Sequence, residues 1–149
     1  MSQVSDADKD QFFSDVAAAS AKAVWAAVAT QADDGPRVRM VHPTWDGEVL
    51  WFATSKASPK AAQLMAHPRL DIQWQVSAPE FVHIMARGSA EVLDDPESRR
   101  HAWEVLDYDL SQFWPDGVDS PDYVAVKITP ERVELSEMFG TTNKRVWRG

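Results

Sequence analysis

The chain has 149 residues, 44% of them hydrophobic, which suits a single compact domain over 1–149 with a real core. Its 15 basic and 23 acidic residues give a net charge of −8, which argues against a broad nucleic-acid surface. The absence of cysteine rules out a disulfide framework, a thiolate metal site and a cysteine nucleophile. No apolar run has the length of a membrane span or the form of a signal-peptide core, so a cytoplasmic protein without a membrane partner is expected.

Residues 6–22 read as an N-terminal helix, with Ser5 as N-cap and an alanine-rich body. "AVWAAVAT" (23–30), "RVRMVH" (37–42) and "EVLWFAT" (48–54) read as strands separated by the turns "DDGP" and "WDG", which predicts an antiparallel meander. Ser58 and Pro59 open a short helix that runs to about His67. "RLDIQWQV" (69–76) and "EFVHIMARGSAEVL" (80–93) are the next strands, and Asp95-Pro96 opens a helix to about Leu106. After a loop through "FWPDGVDSPD", "YVAVKI" (123–128) and "RVELSEMF" (132–139) read as two strands parted by Pro130. Residues 23–139 thus form a barrel core and 140–149 a basic tail. The fold class is mainly antiparallel β with helices, a small barrel with helical decoration.

The stretch "WFATSKASPK" (51–60) draws attention, because an acidic chain gathers hydroxyls and lysines there at a helix start. Helix N-termini attract anions. Thr54, Ser55 and Ser58 supply hydroxyls, and Lys60 brings a positive charge into a first turn that normally favours acids. A bound phosphate would explain this, but so would a capped helix with solvated lysines, and local features favour the latter slightly. On the strand 37–42, Arg37, Arg39 and Val41 share one face and Val38, Met40 and His42 the other. The two arginines extend the cationic character, arginine being suited to phosphate; a solvent-facing strand is the plainer account.

His83 lies on the face opposite Val82, Ile84 and Ala86, and a lone strand histidine is more often structural than catalytic. The four histidines show no metal-ligand spacing. No nucleophile-elbow or Walker motif is present, and no residue stands out as a general base.

Taken together, "AVWAAVAT", "GPRVRMVHPTWDGEVLWFATSKASPKAAQLMAHPRL" and "VHIMARGSAEVLDD" resemble the pyridoxamine 5'-phosphate oxidase-like FMN-binding split barrels, in particular the general stress protein branch. The resemblance implies a six-stranded split barrel that forms a homodimer, with FMN in clefts at the dimer interface. It places Arg37, Val38, Arg39, Met40 and His42 on the family's arginine-led strand, His42 replacing a phosphate-side lysine. Thr54 matches a flavin-contacting threonine, with Ala53 in place of an aromatic. Ser58 and Lys60 match a phosphate cradle that here lacks one arginine, and His83 falls where the family has a glutamine near the isoalloxazine ring.

The family's substrate-phosphate clamp of Tyr, Arg and Ser falls on His101, Val105 and Asp109, so the clamp is missing. The expected function is an FMN-binding oxidoreductase of unidentified substrate, not a pyridoxamine phosphate oxidase. A non-catalytic flavin-binding or storage module, or a split-barrel enzyme using a deazaflavin or haem, are the alternatives.

Overall fold

A computed structural model describes residues 2–149. A short strand β1 (Ser2–Gln3) and a 3-10 turn (Asp6–Asp8) precede helix α1 (Lys9–Ala23). Ser5 does not cap the backbone; its hydroxyl donates to the Asp8 carboxylate at 2.9 Å. The helix extends past the expected boundary at residue 22 because its last turns are alanine-rich, and alanine costs least in a helix. Strand β2 (Ala26–Ala32) therefore starts three residues later than the sequence pattern implied, after Val24 with φ 65° and the exposed Trp25.

Strands β3 (Gly35–Val41), β4 (Thr44–Asp46) and β5 (Val49–Ser55) follow. β3 pairs with β2 and β4 with β5, but β3 and β5 do not pair with each other. The expected meander is thus broken at its middle. After helix α2 (Pro59–Ala66) come β6 (Arg69–Gln75), β7 (Val82–Leu93) and helix α3 (Pro96–Val105).

The two strands expected at 123–128 and 132–139 are one continuous strand, β8 (Tyr123–Glu137). Pro130 cannot donate to a ladder, which is why the sequence reads as two strands. The structure absorbs the proline at a register shift opposite Gly88. A Cβ on Gly88 would stand 2.3 Å from the Thr129 carbonyl oxygen, so only glycine fits there. The first half of β8 pairs with β5 and the second with β9 (Thr142–Arg148), while β7 runs along it throughout. β9 corrects the reading of 140–149 as a tail: it is a sheet strand, and β1 pairs with it in parallel.

Leu50, Phe52, Ile72, Trp74, Ile84, Val126 and Ile128 form the barrel interior, and Phe12, Phe13 and Val16 of α1 close one end. On the other side of β5 and β8, Trp51 and Ala125 pack against Ala102, Leu106 and Leu110 from α3 and the loop after it. The sheet is left open between β3 and β5, and the architecture is a split barrel. Among the described residues no helix is long and apolar enough to cross a membrane.

Candidate functional site

The gap between β3 and β5 is a cleft of about 310 Å³. Met40, Val41 and His42 line one side, and Ala53 and Lys60 line the base. Trp25, Tyr108, Phe113 and Trp114 add an aromatic wall. Two larger hollows elsewhere, near Arg69–Arg87 and near Asp34–His67, carry charges that already pair: Arg69 with Glu131, Arg87 with Asp71, Arg37 with Asp34.

At the base of the cleft, Ser58 caps α2 by accepting the Ala61 N–H at 3.1 Å. Its hydroxyl also lies 3.1 Å from that of Thr54, and Lys60 Nζ donates to Thr54 Oγ1 at 3.3 Å. Arg39 enters from β3, donating to Thr30 Oγ1 at 3.1 Å and Gln63 Oε1 at 2.8 Å. Burial first, and the nearby Arg39 charge second, hold the Lys60 ammonium below its ordinary pKa. Among the described residues, neither Arg39 nor Lys60 takes part in an ion pair. Two like charges share a partly dry corner of an acidic protein without a carboxylate beside them, an arrangement that favours an incoming anion.

The remaining candidates separate. Ser55 donates to the Asp122 carboxylate at 2.6 Å, and Lys56 pairs with Asp94 at 2.7 Å, so both turn away from the corner. Arg37 forks onto Asp34 in the preceding turn, at 2.8 and 2.9 Å. Val38 points outward, 70% exposed, whereas Met40, 61% exposed, still lines the cleft. His42 pairs with Asp107 at 2.8 Å and stacks on Tyr108 at 4.2 Å, fastening the 107–114 segment to the end of β3.

His83 is not brought to this corner. It is buried on the outer face of β7, with Nδ1 3.1 Å from Gln75 Oε1 and Nε2 4.0 Å from the Glu134 carboxylate. Burial, the largest influence, holds its pKa below the ordinary histidine value, with Glu134 opposing and Lys144 reinforcing. Glu134 also pairs with Arg132 at 3.0 Å and Lys144 at 3.6 Å.

The family profile of pyridoxamine 5'-phosphate oxidase matches residues 13–137, most of the chain. The chain belongs to that family. No curated protein matches its sequence. Among solved structures, a protein related to general stress protein 26, of the pyridoxinephosphate oxidase family and from Clostridium acetobutylicum, superposes with a TM-score of 0.75 at 20% identity, covering 93% of this chain and 95% of that one. A pyridoxamine 5'-phosphate oxidase-related, FMN binding protein from Nostoc punctiforme gives 0.60 at 19% identity, covering 83% and 82%. An F420 reductase gives 0.60 at 21% identity, covering 78% and 93%.

Against that family, the three positions expected to lack the substrate-phosphate clamp are engaged elsewhere. His101 pairs with Asp46 at 2.8 Å. Val105 packs in the cluster around Trp51, and Asp109 caps the turn Leu110–Gln112 by accepting the Ser111 N–H. Sequence reasoning missed Gln63, which positions Arg39, and the wall of Trp25, Tyr108, Phe113 and Trp114. Helix periodicity places Gln63 one turn beyond Lys60 on α2, a usable signal. The aromatics lie in segments that read as a strand start and a loop, and only their number hinted at a role.

Proposed function

We infer that the protein binds FMN, that the FMN phosphate is held by Lys60, Arg39, Thr54 and Ser58, and that it works as an oxidoreductase in a homodimer. The observation that carries this is the pair of unneutralised cations at the corner, beside two hydroxyls at a helix start. A phosphate dianion supplies the missing countercharge and accepts from all four side chains. The residues present therefore fit the group. Bound FMN would supply hydride or electron transfer, and the protein would supply orientation and electrostatics.

Family membership, and the FMN-binding character of the Nostoc relative, support the cofactor assignment. The dimer is supported by the outer sheet face, where exposed Val38 and Met40 adjoin the small, half-buried Ala27 and Ala29 of β2 and, across β6, Met85. Gln73 and the mutually paired Asp71 and Arg87 lie on the same face. A strip that combines exposed apolar side chains with charges already paired suits a second copy.

The test is the visible spectrum of the purified protein, mass identification of any released cofactor, and parallel titration with FMN and riboflavin. Copurified FMN, with tighter binding of FMN than riboflavin, is expected. Equal affinity for riboflavin would remove the phosphate site. Release of a deazaflavin or haem would replace FMN, and a bound flavin that no donor reduces would leave a storage module.

A further inference from the structure

Ser55 and Lys56 stand in the hydroxyl-rich stretch before α2, yet neither reaches the phosphate corner. Both are tied instead to a distant stretch of chain. The Ser55 hydroxyl lies 2.6 and 2.7 Å from the two oxygens of the Asp122 carboxylate, and the Lys56 N–H donates to the Asp122 carbonyl at 2.6 Å. The Ala57 N–H and the Trp114 indole also donate to that carboxylate. The Ser55 hydroxyl, the largest of these influences, holds the Asp122 pKa below the ordinary aspartate value.

Asp122 ends the connection between α3 and β8, residues 106–122, in which the 3-10 turn Leu110–Gln112 is the one regular element. Long connections of this kind in a compact domain are commonly functional. This one crosses the cleft as a strap: Tyr108, Gln112, Phe113 and Trp114 line the cleft together with Lys60. Its near end is held at Asp107, which lies 2.8 Å from His42 and accepts from Thr44 at 3.1 Å. Its far end is held at Asp122. Arg99 supports that end by donating to the Val118 and Ser120 carbonyls while pairing with Asp94, the partner of Lys56. The strap and the turn before α2 are therefore one hydrogen-bonded unit. Thr54 and Ser58, whose hydroxyls belong to the corner, flank that turn.

Charge makes the placement unexpected. Asp122 takes part in no ion pair among the described residues. By Coulomb's law alone, an unpaired carboxylate next to an anion site opposes the anion. We propose that Asp122 is a positioning residue: it fixes the turn 55–57, and with it Thr54, Ser58 and Lys60, in one relation to the strap, so that anion binding at the corner and docking of the strap over the cleft favour each other. The role rests on the FMN reading of the corner and links the phosphate end of the site to its aromatic wall. Such coupling is reciprocal: whatever loosens the strap weakens the anion, and whatever fills the corner steadies the strap.

Charge and positioning predict opposite signs. Asp122→Asn removes a negative charge beside the corner, so a bystander carboxylate implies tighter FMN, whereas a positioning residue implies weaker FMN. Dissociation constants for FMN and riboflavin are measured by flavin fluorescence quenching on the wild type, Asp122→Asn, Ser55→Ala and Ser55→Thr. Asp122→Asn and Ser55→Ala should weaken FMN at least about fivefold, with riboflavin, which lacks the phosphate, changing by less. Ser55→Thr keeps the hydroxyl and should restore wild-type affinity. Hydrogen exchange of residues 107–118, followed by mass spectrometry, is the second readout: FMN should slow it in the wild type and not in Asp122→Asn. Unchanged or tighter FMN binding in both variants, or strap exchange indifferent to FMN in the wild type, would overturn the proposal. A wild type that binds FMN no better than riboflavin would defeat the phosphate reading instead. Faster exchange of both 55–58 and 107–118 in ligand-free Asp122→Asn would then still uphold the tie between turn and strap, and equal exchange would sink that too.

Discussion

Lys60 Nζ, on the first turn of α2, lies 3.3 Å from Thr54 Oγ1 at the end of β5. The contact joins a helix start to a strand end and turns the ammonium inward, toward Arg39, where burial and like charge both disfavour it. Removing that charge is the sharpest test of the corner. Lys60→Ala should weaken FMN by about 1–3 kcal/mol, the range for a charge-assisted hydrogen bond. Quenching of flavin fluorescence on titration gives the dissociation constant; an unchanged value would return Lys60 to a structural role.

His83 should make the fold acid-sensitive. Its pKa is lower in the folded protein than the ordinary value of 6.5, so between those two values the unfolded chain binds more protons. Stability present above pH 6.5 is therefore lost as the pH falls through that window. Urea unfolding of the wild type and of His83→Gln across pH 5 to 8 should show the wild type losing stability relative to the variant below about pH 6.5. Parallel pH profiles would show that His83 does not titrate in this way.

Gly88→Ala should destabilise the barrel by about 1–3 kcal/mol, the usual range for overpacking. The added methyl would meet the Thr129 carbonyl oxygen at 2.3 Å and the Pro130 Cα at 2.8 Å, both backbone atoms that move only with the strand. A clear fall in the thermal midpoint is expected. Gly47→Ala, where a Cβ meets nothing within 4 Å but φ is 61°, serves as a control for conformational strain alone.

Val38→Glu should abolish the proposed homodimer. The residue is 70% exposed on the outer face of edge strand β3, so the isolated subunit loses little by the change. Sedimentation should give a dimer for the wild type and a monomer for the variant, with FMN affinity falling in step. A monomeric wild type that still holds FMN would refute the dimeric cleft.

The flavin-loaded protein should oxidise pyridoxamine phosphate slowly or not at all. A substrate phosphate needs several charge-assisted donors, each contributing on the order of 1.5–3 kcal/mol. At the clamp positions Val105 has no donor, Asp109 is an acid held ionised by Ser111, and His101 is engaged by Asp46. Oxygen-dependent formation of pyridoxal phosphate is the assay, and turnover at the rate of a true oxidase would mean that other residues rebuild the clamp.

The split barrel and the start of α2 were legible in the sequence because their signals are local. Ser58 and Pro59 announce a helix start through capping chemistry, and Asp95 does the same for α3 through the Ser98 N–H. Strand pairing is not local. Nothing in residues 35–55 says that β3 and β5 will leave a gap, since their turns would serve a meander equally well. Pro130 reads as a break because its cure, Gly88, lies far away along the chain. Likewise Arg37 and Arg39 share a strand face, yet Asp34 captures one and Gln63 the other. The choice depends on which partner lies within reach of each guanidinium in the folded chain.

The shared strand β8 has a kinetic consequence. It draws its partners from residues 50–55, from the whole of β7 and from β9, so its ladder closes loops ranging from a few residues to more than half the chain. Loop-closure entropy must be met before those contacts reward it, and topologies dominated by distant pairings fold in milliseconds to seconds. The local hairpin of β8 with β9 and the β4–β5 hairpin can form early, but neither encloses a cleft. The gap between β3 and β5 takes shape only when β7 has joined the two halves across Gly88, so ligand-binding competence should be among the last properties the refolding chain acquires.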